Sequence, residues 1–405
     1  MDLLDADALR RLYPEAFWAP FLAEGMRPDG RPIGQARGVS IGLGTVTNAD
    51  ASALVKLGDT AMVAAIKVEV MAPSEDRPTA GALLVSCDLP PICSAAVRPG
   101  RPPDMAHTIS HHLTSLLSSA ACVDLTHLCI VPGKAAWAIW LDIVCIDADG
   151  ALFDAALLAA LAALSSLTLP AVDVVANGKV FLHSQQGAQA DGGRTGSEGE
   201  GGGGGRGDGE GVSTEEGRRD RGGGEGEEAG VEGGKGAERD GDGLVVEQTV
   251  EGRRLELQAL PLAQTVCLYG GHLLVDPTAE EERLGSGSNN VIIAMDMMAR
   301  EEGSGAGKGA EEEGEKGGGG KGKRKGVGKG GGVGDGGEEL LLVFKAGGST
   351  RLTAAGMQDC IAAAAVNLRE RRTALLDALA EAEKGEEEEE EDDVEEGEEG
   401  EEMEN

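Results

Sequence analysis

The stretch Ala51-Ser-Ala-Leu-Val-Lys-Leu-Gly-Asp-Thr60 determines how the chain begins to fold. Gly58-Asp59 separates two mainly apolar runs, Ser52 to Leu57 and Thr60 to Val70, at the spacing of a hairpin. A similar run precedes them at Val39 to Val46. Together the three runs predict an antiparallel meander.

Around the meander, strands and helices alternate in an irregular order. The predicted elements are a helix over Leu3 to Glu24, a helix over Pro102 to Leu125, strands over Leu128 to Val131 and Ala135 to Ile146, and a helix over Phe153 to Leu164. The Pro-rich chain between Met71 and Arg101 is predicted to be loop. This βββαββα order favours an α+β fold over a doubly wound sheet.

A second set of strands occupies the C-terminal half. They are predicted over Leu244 to Leu257, Ala263 to Tyr269, Leu273 to Val275, Val291 to Met295 and Leu340 to Lys345. An amphipathic helix over Thr353 to Glu383 follows, with Thr353 as its N-cap. The Ala-rich and Leu-rich stretch Ala151 to Leu169 is too weakly apolar to span a bilayer, and it predicts a buried helix.

The composition divides the 405 residues into ordered and disordered parts. The chain has 65 Gly but only 5 Phe, 2 Tyr and 3 Trp, and its net charge is -35. Gly and charge concentrate in residues 190–243, 301–339 and 385–405, which predicts two disordered insertions and a disordered acidic tail. The predicted domains are therefore an N-terminal domain over 1–189, including its helix, and a C-terminal domain over 244–300 and 340–384. The negative charge argues against binding to nucleic acid or anionic membranes through a generally basic surface.

Cysteine usage and the N-terminus indicate a reducing compartment. The seven Cys are mostly in apolar runs, and the chain starts with acidic residues where a secretory leader needs positive charge. We therefore expect reduced, buried thiols in the cytosol or nucleus.

Two groups of residues could carry chemistry, but each has a simpler structural interpretation. His107 and His111 are one helical turn apart, the spacing of some zinc sites, yet no third ligand follows at a defined distance, so no metal is predicted. The carboxylates Asp142, Asp147, Asp149 and Asp154, and the cluster Asp276 with Glu280 to Glu282, could act as acid and base. Acids near helix starts more often offset the helix dipole and cap exposed N–H groups.

Arg98 and Arg101 are the candidate RNA-binding residues. They lie in the Pro-rich segment Val97-Arg-Pro-Gly-Arg-Pro-Pro103, where few other positive charges occur. Two cations on a stiff loop could contact phosphate; simple solvation of both side chains is the alternative.

The ordered residues resemble the RNase PH family and, within it, the non-catalytic ring subunits of the eukaryotic RNA exosome. Six segments in the correct order carry the resemblance: Arg27 to Arg31, Ala51 to Thr60, Val85 to Cys93, Val275 to Glu282, Gly347 to Ser349, and Gln358 to Cys360. The resemblance implies an RNase PH-like fold, with a first half similar to ribosomal protein S5 domain 2 and a smaller second half.

The resemblance also implies that the chain is not an enzyme. Active relatives are phosphorolytic 3′ to 5′ exoribonucleases that hold phosphate with a Gly-Thr-Arg or Gly-Ser-Arg loop, which here is Gly150-Ala-Leu-Phe153. They also use arginines from the helix equivalent to Pro102 to Leu125, which contains no Arg or Lys here. Asp276 and Glu282 keep the acidic positions, but without the cations we expect no catalytic residue and no cofactor.

The partners that the resemblance implies are other RNase PH-like exosome subunits in a hetero-hexameric ring, cap subunits, an associated nuclease and RNA, without a membrane. The implied functions are ribosomal and small RNA 3′ processing and mRNA turnover, in nucleus, nucleolus and cytoplasm. Two alternatives remain: an active phosphate-dependent exoribonuclease of the RNase PH type, and an unrelated α+β interaction module.

Overall fold

The computed structural model describes residues 3–100, 102–119, 122–175, 180–182, 246–284, 289–298, 339–345, 347–348 and 350–402. These residues form two compact units, one comprising the chain up to Leu169 and from Gly252 onward, the other comprising Pro170–Glu251. The predicted insertions at 190–243 and 301–339 lie outside the described residues except for Glu339, which is the first residue of a strand rather than part of a disordered segment. The disorder of the other residues stays a prediction.

The N-terminal half of the larger unit builds a six-stranded sheet. Its elements are α1 (Leu3–Leu12), α2 (Pro14–Ala23), β1 (Val39–Leu43), β2 (Ala51–Leu57), β3 (Thr60–Met71), β4 (Ala82–Asp88), α3 (Asp104–Ser119), β5 (Cys129–Val131), β6 (Ala135–Asp147) and α4 (Leu152–Ser165). The strand order is β1-β2-β3-β6-β4, and β5 also pairs with β6. Leu57 pairs with Thr60 across the Gly58-Asp59 turn, which confirms the predicted meander.

Two predictions in this half are wrong in detail. The N-terminal helix is broken into α1 and α2, because Pro14 lacks the N–H that a continuous helix needs and starts a new helix instead. The segment predicted as loop contains β4, which pairs in parallel with β6. Its partner lies about 50 residues further along the chain, so no local turn signal marks the pairing.

Helix α4 occupies the centre of the larger unit. All its residues from Phe153 to Leu164 are buried, because it packs against β2 and β3 on one side and against β12 (Pro261–Tyr269) and α6 (Ala354–Glu402) on the other. A helix that is apolar on all faces has to be covered on all faces, which confirms the prediction of a buried helix. Among the described helices, none combines the length and apolar character that a membrane span requires.

The C-terminal part adds a four-stranded antiparallel sheet in the order β13-β12-β14-β15. The elements after α4 are β7 (Thr168–Leu169), β8 (Val172–Val175), β9 (Val180–Leu182), β10 (Val246–Val250), β11 (Arg253–Arg254), β12, β13 (His272–Val275), α5 (Ala279–Arg283), β14 (Asn290–Asp296), β15 (Glu339–Lys345) and α6. Trp18 and Leu22 of α2 pack against Cys267 and Leu274 of this sheet. The N-terminal helix pair thus contributes to the core of the C-terminal sheet.

Both insertions connect strands that are near neighbours. The chain over 183–245 joins β9 to β10, which both pair with β8 in the smaller unit, and the chain over 299–338 joins β14 to β15, which pair with each other. Loop-closure entropy rises slowly with length, so a sheet can accommodate long insertions at such positions.

The acidic tail differs from its prediction. The sequence predicts disorder from Gly385 onward, whereas α6 continues to Glu402. Glu has a good helix propensity, and extending an existing helix avoids the cost of a new helix nucleus. At the other end, the amide of Gly356 donates to Thr353 Oγ1 at 3.1 Å, which confirms Thr353 as the N-cap.

Gly150 allows the β6–α4 turn to pack against the start of α5. Its φ is +77°, and a Cβ there would lie 2.4 Å from the Pro277 carbonyl oxygen. Gly133 has a similar φ of +73° but open space around it.

We predict that Gly150→Ala lowers the free energy of unfolding by about 3 kcal/mol, because backbone strain and overpacking add. Gly133→Ala, which adds strain alone, should lower it by about 1 kcal/mol. Urea unfolding followed by circular dichroism measures both; equal losses would contradict the packing argument.

Candidate functional site

A buried carboxylate joins the two halves of the larger unit. Asp276 lies in the turn between β13 and α5 with φ +52°, and its side chain is fully buried. Its Oδ2 accepts hydrogen bonds from the backbone N and Nε of Arg37 at 2.8 and 2.9 Å, and its Oδ1 accepts from Arg37 Nη2 at 2.9 Å. Nη2 of Arg371, in α6, lies 3.5 Å from Asp276 Oδ1. Burial alone would raise the pKa of Asp276, but bonding to Arg37 and attraction to Arg371 lower it below its usual value.

A second buried carboxylate extends this network into α4. Asp154 Oδ2 accepts from the backbone N of Thr265 at 2.7 Å and from Arg371 Nη1 at 3.1 Å. Burial raises the pKa of Asp154 even though Arg371 opposes the shift. The sequence makes Asp154 a candidate for acid–base chemistry. In the structure its carboxylate instead bonds to Thr265 of β12 and Arg371 of α6, and so connects α4 to both elements.

The network also brings together two of the six sequence segments. Arg27, at the start of the first segment, donates to the carbonyl oxygens of Val275 and Asp276 and forms an ion pair with Glu281 at 3.3 Å. Glu281 and Thr278 form the capping box of α5. The acidic cluster after β13 thus includes a helix cap, as the structural interpretation predicted.

The turn from Asp149 to Ala151 leads into Gly150 to Phe153, where the family resemblance places the phosphate loop of active relatives. Arg37 Nη1 donates to the Asp149 carbonyl at 2.7 Å, and Thr60 Oγ1 donates to the Gly150 carbonyl at 2.9 Å. Ala151 has φ +49°, which is unfavourable for a residue with a Cβ. Its amide donates to Glu282 Oε1 at 3.0 Å. The unusual loop conformation is therefore retained by contacts within the protein.

A cavity of about 380 Å³ lies beside this turn. Its walls are mostly apolar and come from α3, α4, the β4–α3 loop, α5, β14 and β15. The largest apolar side chains are Leu89, Met105, Ile109, Phe153, Ile292 and Phe344. The His112 ring lies 4.5 Å from the Phe344 ring. Burial and the neighbouring His111 lower the pKa of His112, so this imidazole is neutral at pH 7.

The charged groups of the cavity do not form an anion site. Among the lining residues, Arg283 is the single Arg or Lys, and it is exposed. Glu282 also lines the cavity, and burial raises the pKa of its carboxyl. The arrangement can accept apolar groups, but it has no set of fixed cations that could offset the repulsion between two anions.

The candidate RNA-binding arginines and the candidate metal-ligand histidines lie at different places in the chain's structure. Arg98 is exposed and follows Val97, which lines the cavity, whereas Arg101 lies outside the described residues. His107 and His111 are exposed on α3. Within the described chain, no group of three or more His, Cys, Asp or Glu could hold a metal.

The cysteines agree with the prediction of free thiols. All seven are unpaired and six are buried. Burial raises the pKa of Cys87, Cys122 and Cys267 to about 12, which makes these thiols unreactive at neutral pH.

Sequence reasoning missed the cations of the network and of the cavity. Arg37 and Arg371 lie in segments without a recognisable motif, and their bonding partners Asp276 and Ala263 are more than 100 residues away. Arg283, which lines the cavity, directly follows the acidic cluster. Arg27 and Arg31 belong to a recognised segment, but their ion pairs with Glu281 and Asp276 are not predicted from it.

Comparison with known families identifies the architecture. Residues 35–170 match the model of the 3′ exoribonuclease family, domain 1, and residues 259–300 match that of domain 2. The chain therefore has a region similar to each of the two domains of the RNase PH family. This confirms the resemblance drawn from the six sequence segments, and the α+β fold with it.

Curated relatives and solved structures of RNase PH type agree. The chain is 34% identical over 161 residues to the exosome complex component rrp43 of Schizosaccharomyces pombe, covering 40% of this chain and 60% of that protein. It is 39% identical over 155 residues to the exosome complex component Rrp42 of Saccharolobus solfataricus, covering 38% and 56%. The chain thus spans less than two thirds of the length of these relatives. The Archaeoglobus fulgidus exosome with RNA bound to the active site shares the fold, with a TM-score of 0.56 and 22% identity over 92% of this chain and 99% of that one.

The ionisation of Asp276 makes the free energy of unfolding depend on pH in the acid range. Because its pKa is lower in the folded state, its contribution is complete above the unfolded value near 3.8 and is lost as pH falls through the folded value. We predict that Asp276→Asn lowers the free energy of unfolding at pH 7 by about 3 to 5 kcal/mol, since buried arginines lose their counter-charge. The loss should shrink at acid pH, where the wild-type carboxylate is also neutral.

The exposed pair of Asp50 with Lys67 provides the control. We expect Asp50→Asn to cost about 0.5 kcal/mol. Denaturant unfolding at several pH values tests both variants; equal effects at pH 7 would contradict a central role for Asp276.

Proposed function

We propose that this chain is a non-catalytic subunit of an RNA exosome ring. In this function it packs with other RNase PH-like subunits in a hetero-hexameric ring, with cap subunits, and guides RNA 3′ ends to a nuclease on another chain. It supports 3′ to 5′ processing of ribosomal and small RNAs and turnover of mRNA, in nucleus, nucleolus and cytoplasm. The similarity to the fission yeast and archaeal exosome components supports the assignment.

The composition of the cavity beside Gly150 is the observation that carries the proposal. Phosphorolysis has to place inorganic phosphate against a phosphodiester, and the repulsion between these two anions requires several fixed cations. The turn provides Ala151, Leu152 and Phe153 to the cavity, and α3 provides no Arg or Lys.

The two retained acids support the same conclusion. Asp276, which does not line the cavity, forms ion pairs with Arg31, Arg37 and Arg371, and Glu282 accepts a hydrogen bond from the amide of Ala151. Their presence is explained by their contacts within the fold, so it provides no argument for catalysis.

The proposal predicts that the purified chain lacks phosphate-dependent RNA degradation. Release of nucleoside diphosphate from polyadenylate RNA should be at least about a thousandfold slower than with an active RNase PH enzyme assayed alongside, because loss of even one stabilising group costs a factor of a hundred to a thousand. Phosphate-dependent ADP release at the rate of the active enzyme would refute the proposal and favour an active exoribonuclease.

Association is tested separately. A tagged full-length chain should co-purify with other RNase PH-like chains from its own cells. Recovery without any of them would contradict membership of a ring and favour an independent interaction module.

We also propose that Arg98, together with Arg101, contacts RNA phosphates. Arg98 is exposed, and no ion pair or hydrogen bond involves its side chain within the described residues. Arg98→Gln should weaken binding of single-stranded RNA about fivefold at 0.1 M salt, as expected for one lost phosphate contact. Arg77→Gln, at an exposed position on the β3–β4 connection, is the control. Equal fluorescence anisotropy titrations for both variants would exclude a specific role for Arg98.

A further inference from the structure

The cavity beside Gly150 offers apolar surface that a ligand can reach. Met105 is exposed, and Val97, Leu152 and Ile292 are half-buried, so the core does not take up all of their apolar surface. The cavity volume of about 380 Å³ lies within the range of small-molecule pockets, about 300 to 1,000 Å³. A small apolar molecule therefore has both the room and the contact surface that binding requires.

Aromatic rings are concentrated in the walls of this cavity. The His112 ring lies 6.4 Å from the Phe153 ring and 4.5 Å from the Phe344 ring, measured between ring centres, and all three residues line the cavity. The chain has only 5 Phe, and two of them are here. His112 and Phe344 are half-buried, so part of each ring is accessible. Aromatic rings pack favourably on one another at such separations, so the walls favour a flat aromatic ligand.

The charges of the lining favour an uncharged ligand. Among the described lining residues Arg283 is the single Arg or Lys, and an exposed cation contributes little to holding an anion. Glu282 is the single acid of the same lining, and its carboxylate already accepts hydrogen bonds from the amide of Ala151 and the side chain of Asn290. Because burying an ion without a partner is costly, neither an anion nor a cation is well matched to these walls.

Asn290 gives the cavity a specific polar group. This residue begins β14, is 8% exposed and lines the cavity. Burial raises the pKa of Glu282, whereas the hydrogen bond from Asn290 lowers it, so the Asn290 amide nitrogen is the donor to that carboxylate. Asn290 Oδ1, at the other end of the same amide, has no hydrogen-bond partner within the described residues. A buried acceptor without a partner is destabilising, and an N–H or O–H group of a ligand would remove that cost.

We propose that this cavity binds a small uncharged aromatic molecule with an N–H or O–H group, which donates a hydrogen bond to Asn290 Oδ1. The ring of the ligand packs against His112 and Phe344. A nucleotide or another anion is disfavoured, because the described lining has no set of fixed cations. The inference goes beyond the proposed function, since binding of such a ligand requires neither RNA nor a neighbouring subunit.

The test titrates indole, a flat uncharged molecule with one N–H donor, into the full chain. Binding is followed by NMR of isotope-labelled Ile methyl groups. Saturable shifts are expected at Ile109 and Ile292, which line the cavity, and not at Ile41 of β1, which does not. Val97→Trp, which fills the cavity, should abolish these shifts. Val46→Trp, the same change on the β1–β2 connection outside the cavity, should leave them unchanged.

A second probe tests the hydrogen bond to Asn290. Benzofuran has the shape of indole, with an oxygen atom in place of the N–H group. The preference for indole over benzofuran, taken as the ratio of their dissociation constants, should be about fivefold larger in the wild type than in Asn290→Leu, as expected for one hydrogen bond. Circular dichroism verifies that the variants are folded. If Asn290→Leu does not fold, the wild type alone decides, and it must bind indole more tightly than benzofuran.

Four results would overturn the inference. They are the absence of saturable shifts at Ile109 and Ile292, equal indole binding by Val97→Trp and Val46→Trp, an indole preference that does not depend on Asn290, and tighter binding of indole-3-carboxylate than of indole. The last result would show that the cavity selects anions. None of these titrations contains RNA, inorganic phosphate or a partner chain, so failure here is distinguishable from failure of the proposed function.

Discussion

The carboxylate of Asp276 is the constraint on which the larger unit depends. It is buried between Arg37, which precedes the first sheet, and Arg371, which belongs to the last helix, so it joins segments from both ends of the chain. Arg37 then extends the network to the carbonyl oxygens of Asp149 and Gly150. Because a buried charge without a partner is strongly destabilising, these segments have to fold together.

This constraint explains how the backbone of the turn at Gly150 and Ala151 is held in place independently of the side chains that follow it. Gly150 and Ala151 hold left-handed conformations, and the turn is fixed by Arg37 and Thr60. These contacts do not depend on which side chains follow the turn, so Leu152 and Phe153 can face an apolar cavity while the backbone stays in place. The retained acids are likewise explained by structure, since each has a partner within the fold.

Local patterns made part of this architecture predictable. The Gly58-Asp59 turn and the apolar runs beside it predicted the β2–β3 hairpin, since pairing across a two-residue turn is a local event. Strand β4 was missed because it pairs in parallel with a distant strand. The absence of Arg and Lys from Gly150 to Phe153 can be read directly from the sequence. The pairing of Arg37 with Asp276 cannot, because no spacing rule connects residues 239 positions apart.

The proposed non-catalytic function requires that the cavity beside Gly150 does not hold inorganic phosphate. Titrating phosphate into the isotope-labelled full chain, and following the amide resonances of Gly150, Ala151 and Leu152 by NMR, tests this most directly. Sodium chloride at equal ionic strength is the control. The account predicts no saturable shift of these resonances up to millimolar phosphate. A saturable, phosphate-specific shift at these three amides would contradict it.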